Sequence, residues 1–368
     1  MALLLAASSV TQAASSPPFE ASLTMERAKA SVARLAQGGN NGDNDYRGDF
    51  SASLEVKLFL DHMASKHGFK RSELDALFAK VNHVKATIQL MKPAPPGKPK
   101  NWQAYRDRFV ETVRINAGVK FWNDNLDALA RAQKQYGVPA NIIVGIIGVE
   151  TVYGRVTGNF RVLDALTTLA FDYPATPNRA ARMAFFKGEL ESVLLLTRSE
   201  QIDPLSLLGS YAGAVGLPQF MPSSILNYAI DFDGDGHIDL RNSSADAIGS
   251  VANFLTQHGW QRNDPGAIVY PAKVAPHQAW KPLIDLGLAA TLHSDQLLAA
   301  GVSSDVPLAP DMLFGLVDLQ NGAQATEYWL GTNNFYAITH YNRSYFYAMS
   351  VIELGRAVRL ARGSDLEL

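Results

Sequence analysis

Residues 139–150 read Pro-Ala-Asn-Ile-Ile-Val-Gly-Ile-Ile-Gly-Val-Glu, and no other segment of the 368-residue chain restricts the fold as much. Proline suits the first turn of a helix, and the segment that follows is apolar on nearly every side. A helix without a polar face has to lie inside a large core. Glu150 is the exception, because Ile147, Ile146 and Ile143 stand three, four and seven residues back on its own face. A carboxyl held against hydrocarbon loses hydration, its charged form is disfavoured, and its pKa rises into the range a general acid needs near neutral pH. The plainer alternative is a structural ion pair between Glu150 and Arg155.

Composition supports a chain able to build such a core: 47% of residues are hydrophobic and 18% charged. At this length one core normally divides, which predicts two or three lobes with a cleft between them. Thirty-three basic and 35 acidic side chains leave a formal charge of −2 with no basic run, so the electrostatic footprint of a nucleic-acid binder is missing. Zero cysteines exclude disulfides, thiolate catalysis, Cys-ligated zinc and a sulfur-linked lipid anchor. No segment reaches the roughly 18 to 20 apolar residues of a spanning helix. Residues 2–10, followed by Thr11-Gln12-Ala13-Ala14, read as a short secretory signal without the usual basic start, the alternative being an unstructured Ala/Ser-rich terminus.

The expected fold is mainly α with a small β lobe. Residues 1–45 form the signal-like segment and a flexible tether, with one helix expected over 22–36 and a Gly/Asn-rich run at 38–42. Residues 46–135 form a helical lobe, with helices over 54–67 and 72–84, Gly68 as the stop between them and Ser72 as an N-cap. Pro93, Pro95, Pro96 and Pro99 make an extended connector. Trp122, Leu126, Leu129 and Tyr136 then mark a helix ending at Gly137. Residues 136–264 form the core, with further helices over 179–196, 223–228 and 245–258. Residues 265–337 form the β-rich lobe, with strands over 268–270, 313–318 and 326–330. Residues 338–368 return to the core and helical lobe, with a helix over 345–361.

Two more stretches carry chemistry. Residues 209–224 combine glycines that allow close backbone approach, hydrogen-bonding Ser210 and Gln219, and the flat faces of Tyr211 and Phe220. That mixture suits sugars, although tightly packed Gly/Ala helices look similar. Downstream, Asp231, Asp233, Asp235 and Asp239 place oxygens at positions one, three, five and nine of a loop, with Gly236 at the sharp turn and the His237 carbonyl at seven. This is EF-hand spacing, with the alternative of an Asp-Gly turn cluster. Asn242 stands where the closing Glu belongs, and Asp246 is the nearest carboxylate able to replace it. A single site points to a structural role for the ion and not to a sensor.

Gly148-Val149-Glu150-Thr151 with Tyr153-Gly154-Arg155, residues 209–224, residues 231–239, residues 246–254, residues 340–344 and Tyr347-Ala348-Met349 occur in one order. In this the chain resembles the membrane-bound lytic murein transglycosylase B family, over about residues 101–362. The resemblance implies a lysozyme-like catalytic core carrying an EF-hand-like calcium loop, between a helical lobe and a small β lobe. It implies cleavage of the β-1,4 bond between N-acetylmuramic acid and N-acetylglucosamine in peptidoglycan, leaving 1,6-anhydro ends, with Glu150 as acid and then base. It also implies glycan contacts at Ser210, Tyr211, Gln219, Phe254, Tyr341 and Tyr347, and Ca²⁺ held by Asp231, Asp233, Asp235, His237, Asp239 and Asp246. Phe254 stands where the family carries tyrosine, and Asp246 one residue farther from the loop. Peptidoglycan strands are the implied partner, with other cell-wall enzymes as candidate further partners, and the periplasm the implied site for an exported, soluble form. Two rivals stand beside this reading: a hydrolytic muramidase using Asp164 or Asp172 to hold water, and a non-catalytic peptidoglycan-binding protein.

Overall fold

A computed structural model describes residues 50–363, apart from 94–98, 263, 265 and 285. The expected signal, tether and helix at 22–36, and the centre of the Pro-rich connector, lie outside the described residues. The first helices are α1 (Leu54–His67), α2 (Arg71–Phe78), α3 (Lys85–Met91), α4 (Trp102–Arg106), α5 (Thr112–Asp124), α6 (Leu126–Tyr136) and α7 (Ala140–Thr151). After β1 (Phe160–Arg161) come α8 (Val162–Phe171) and α9 (Arg179–Ser199), then β2 (Leu208–Gly209), α10 (Pro222–Tyr228) and α11 (Ser244–Gln257). The remainder is β3 (Val269–Val274), α12 (Lys281–Ile284), α13 (Ser294–Ala299), β4 (Val302–Ser303), β5 (Gly315–Asn321), β6 (Gln324–Gly331), α14 (Asn333–Tyr341) and α15 (Tyr345–Ala361).

The expected helices over 54–67, 139–150, 179–196, 223–228, 245–258 and 345–361 are present within a few residues, and Gly68 and Gly137 end α1 and α6. Two expectations need correction. The helix over 72–84 stops at Phe78, and its cap is Lys70 instead of Ser72. The chain beyond Phe78 bonds outward: the Asn82 and Val84 amides donate to Asp164 Oδ1 at 3.1 Å and Thr168 Oγ1 at 3.0 Å. Trp122 and Leu126 lie on different helices, because Asn125 (φ −124°, ψ 28°) breaks the chain between α5 and α6. The Asn125 side-chain amide donates to the Phe121 carbonyl at 2.8 Å and so competes with helical continuation.

One large apolar cluster runs through the helices from Phe50 to Val358, with Ile142, Ile143, Ile146 and Ile147 of α7 wholly buried at its centre. The strand order of the small antiparallel sheet is β4-β3-β6-β5. A second cluster, including Tyr270, Trp280, Phe314, Leu316 and Leu330, packs on this sheet. Strands alternate their side chains between two faces, so β5 contributes Phe314-adjacent Leu316 to this cluster and Val317 to the large one. Among the described residues no helix is long and apolar enough to cross a membrane.

Candidate active site

Helix α7 crosses α15 so closely that side chains are excluded at the crossing. A Cβ on Gly145 would stand 2.3 Å from the Val351 carbonyl oxygen, and one on Gly355 would stand 2.0 Å from that of Asn141. This approach brings the first turn of α15 beside the last turn of α7. Ser344 caps α15, its Oγ accepting from the Tyr347 amide at 3.3 Å. The wholly buried Tyr347 then donates its hydroxyl to Glu150 Oε1 at 2.7 Å. Glu150 itself is only 8% exposed.

Burial raises the Glu150 pKa from 4.5 to about 7, although the Tyr347 hydrogen bond pulls the other way. The tyrosines beside it stay neutral: burial first, and the neighbouring Glu150 second, raise the pKa values of Tyr341 and Tyr347. No ion pair joins Glu150 to Arg155 among the described residues, so the structural-pair alternative is not the arrangement found.

Segment 209–224 is held to the end of α7 by Thr151, whose Oγ1 donates to the Leu217 carbonyl at 2.8 Å. Sequence spacing gave Thr151 no role; its only signal is a β-branched hydroxyl residue directly after an isolated carboxylate. Val215 and Phe220 exchange two backbone hydrogen bonds (2.8 and 3.1 Å) around a tight turn. Gly216 is required there: its φ is 76°, and a Cβ would stand 2.3 Å from the Leu240 carbonyl oxygen.

The six residues named as glycan contacts fall into distinct groups. Tyr341 stacks against Tyr347, with centroids 6.3 Å apart and planes at 14°, and donates its hydroxyl to the Pro218 carbonyl at 2.5 Å. Gln219, at φ 52°, donates to the Thr157 and Gly216 carbonyls at 3.1 and 2.9 Å. Ser210 Oγ accepts from the Ala214 amide at 3.0 Å, and Tyr211 is buried with its edge toward Phe160. Phe254 is buried among Phe220, Tyr228 and Tyr341 and stacks on His258 at 3.9 Å. Tyr347 thus joins Glu150 directly and Tyr341 through its stack on Tyr347, while Phe254 reaches it only through the aromatic wall around Tyr341.

The carboxylates of the hydrolytic rival have other partners. Asp164 accepts from the Arg161 guanidinium at 2.7 and 2.8 Å and from the Asn82 amide, and Asp172 faces His83 at 2.8 Å. Both tie residues 82–84 to α8.

The Asp-rich loop presents the opposite chemistry. Asp231 accepts the amides of Gly234 at 2.7 Å and Gly236 at 2.8 Å, and these hydrogen bonds, Gly236 foremost, hold its carboxyl below the usual range. Buried Asp246 accepts from the Phe232 amide at 2.7 Å with one oxygen and from the Asp239 amide at 2.8 Å with the other, bracing both ends of the loop. Carboxylate oxygens of Asp231, Asp233 and Asp246 all lie within 4.8 Å of one another. Asp246 therefore does reach the cluster despite its late position in sequence. Asp235 Oδ1 instead accepts from the His237 amide at 2.8 Å, and Asp239 from the Arg241 and Asn242 amides at 2.9 and 3.1 Å.

A family model described as the Transglycosylase SLT domain matches residues 51–356, reaching farther toward the amino terminus than the motifs alone. The chain is 45% identical over 323 residues to membrane-bound lytic murein transglycosylase B of Escherichia coli K12, covering 86% of this chain and 85% of the relative. The crystal structure of soluble lytic transglycosylase SltB1 from Pseudomonas aeruginosa is 46% identical, with TM-score 0.76, 84% of this chain covered and 100% of that one. Escherichia coli lytic transglycosylase Slt35, solved in complex with calcium, is 42% identical, with TM-score 0.76, 89% of this chain covered and 100% of that one. The extent of these matches, on a mainly helical lysozyme-like fold, shows that the chain belongs to the lytic murein transglycosylases, enzymes that cleave the glycan strands of peptidoglycan.

Proposed function

We propose that Glu150 performs both proton transfers of the reaction. Its proton goes to the glycosidic oxygen as the β-1,4 bond between N-acetylmuramic acid and N-acetylglucosamine breaks, and the carboxylate so formed removes the proton of the muramic C6 hydroxyl. The C6 oxygen closes on C1 to give the 1,6-anhydro ring, and Glu150 ends the cycle protonated. An intramolecular nucleophile is already oriented, so the second carboxylate that a water-adding glycosidase requires is dispensable. The observation that carries this assignment is an almost fully buried carboxyl with a pKa raised to about 7, whose hydrogen-bond partner among the described residues is a neutral tyrosine, whereas the other buried carboxyls, Asp164, Glu189 and Asp246, accept from backbone amides. Tyr347 orients the acid, and Tyr341, Gln219, Ser210, Tyr211 and Phe254 form or support the surrounding saccharide-binding wall. The commitment of Asp164 to Arg161 and Asn82 speaks against a water-holding role.

The loop carboxylates suit a structural Ca²⁺. Hard oxygen ligands are what the ion prefers, and the Asp231, Asp233 and Asp246 cluster supplies three, with Asp235, the His237 carbonyl and Asp239 completing the proposed set. Bound there, Ca²⁺ supplies charge neutralisation to the acidic loop and no chemistry to the sugar. The proposed division into lobes at 46–135, 136–264, 265–337 and 338–368 is supported by the separate apolar cluster of the sheet, although the helical lobe shares the large cluster. Location in the periplasm follows from the location of peptidoglycan.

Digestion of purified peptidoglycan, with products read by mass, tests the assignment. Anhydro ends, lighter by one water than reducing ends, are expected from the native enzyme and not from Glu150→Gln; unchanged release by this variant removes Glu150 from the mechanism.

A further inference from the structure

Away from the residues around Glu150, the end of α1 meets α9 through two imidazoles and one carboxylate. Glu191 Oε1 lies 2.8 Å from His67 Nε2, and Glu191 Oε2 lies 3.4 Å from His62 Nε2. One ligand atom from each residue falls within a sphere in which all are no more than 4.8 Å apart. In a tetrahedral site with metal-ligand bonds of roughly 2.0–2.1 Å, ligand atoms stand roughly 3.3 Å from one another. The two imidazole–carboxylate separations bracket that value and all three ligand atoms lie within 4.8 Å of one another, so side-chain adjustment alone closes the site.

The surroundings suit an ion. His67 is fixed at the end of α1, where the Arg198 guanidinium donates to its carbonyl at 2.8 Å. Its side chain is 18% exposed and that of Glu191 22%, while His62 is 49% exposed and leaves an entry path. Beside His62 and Glu191 opens a cavity of about 630 Å³ whose wall at Gly188 presents no side chain. It leaves space for a water as fourth ligand. The Lys66 ammonium, 2.9 Å from Glu191 Oε1, neutralises the carboxylate when no ion is bound.

We propose that His62, His67 and Glu191 form a site for a divalent transition metal of the Zn²⁺ class that staples α1 to α9. Two imidazoles and a carboxylate select zinc over calcium, which prefers an all-oxygen shell. Each Nε2 binds the ion through its lone pair, so its proton moves to Nδ1 or to solvent. Lys66 is displaced from Glu191 and competes with the metal.

The test uses full-length protein without a polyhistidine tag, stripped of metal and then saturated with Ca²⁺ so that the Asp-rich loop does not take up zinc. Calorimetric titration with Zn²⁺ is expected to show one equivalent, accompanied by a rise in melting temperature. His62→Ala, His67→Ala and Glu191→Gln should each weaken binding by about tenfold or more, by analogy with the loss on altering the ligand surroundings. Lys66→Met should strengthen it, and Asp233→Ala should leave it unchanged. Circular dichroism of each variant before metal addition separates misfolding from ligand loss. The proposal is overturned if the native protein takes up no zinc, if the His62→Ala/His67→Ala double variant retains it, or if Lys66→Met weakens it.

Discussion

Glu150 and Asp231 carry the same functional group and live under opposite rules. Glu150 sits at the end of an apolar helix with one hydroxyl as its hydrogen-bond partner, and burial holds its proton on to about pH 7. Asp231 lies in a loop whose amides turn toward it, and those hydrogen bonds hold it ionised below the usual carboxylate range. A carboxyl deprived of water keeps its proton, whereas one surrounded by amide donors stays ionised. The two environments are joined physically, because the turn beside Glu150 is bonded to Leu240 at the end of the Asp loop.

Breaking the Glu150 side of this contrast should have the largest effect. Glu150→Gln keeps the shape and removes the transferable proton, so turnover on peptidoglycan should fall roughly 100- to 10,000-fold. The same substitution should stabilise the fold at alkaline pH. The unfolded chain loses the Glu150 proton near 4.5 and the folded chain near 7, so native stability declines between these values and stays low above them. That difference corresponds to roughly 3 kcal/mol. Denaturation in urea at pH 8 and pH 4 should show a stabilisation by Glu150→Gln at the higher pH that vanishes at the lower; an equal gain at both would contradict the raised pKa.

On the loop side, added Ca²⁺ should raise the melting temperature, with about 2.7 kcal/mol of stabilisation at a hundredfold excess over Kd. Asp233→Ala should abolish the rise, and an unresponsive native protein would reduce the loop to a turn. The smallest effect is the sharpest for the acid. Tyr347→Phe removes a hydrogen bond that lowers the Glu150 pKa, so the alkaline limb of the activity profile should move to higher pH while maximal activity falls about tenfold, on the order of 1.4 kcal/mol. A limb that stays in place would mean that the contact does not set the acidity.

The apolar helix, its isolated acid, the Asp spacing and the C-terminal helix were all legible in sequence because each is a local pattern. What escaped depends on distant partners. Helix α8 was not anticipated, since Val162–Phe171 is buried on nearly all sides and its short polar stripe, Asp164, Thr167 and Thr168, faces protein and not solvent. The end of α2 at Phe78 reflects bonds to Asp164 and Thr168, more than 80 residues away. Tyr347 was legible by resemblance as a sugar contact, but its bond to Glu150 spans 197 positions and exists only because two glycines let α7 and α15 touch. Asp246 shows the converse: counted by sequence it comes too late for the loop, yet the fold returns it to Asp231 and Asp233.

The most direct measurement is a ¹³C NMR titration of the Glu150 side-chain carboxyl in the native enzyme, its resonance assigned by its disappearance in Glu150→Gln. A midpoint near 7 is expected for an acid buried beside Tyr347. A midpoint near 4.5, the value of a hydrated glutamate, would contradict the dry pocket on which the proton transfers depend.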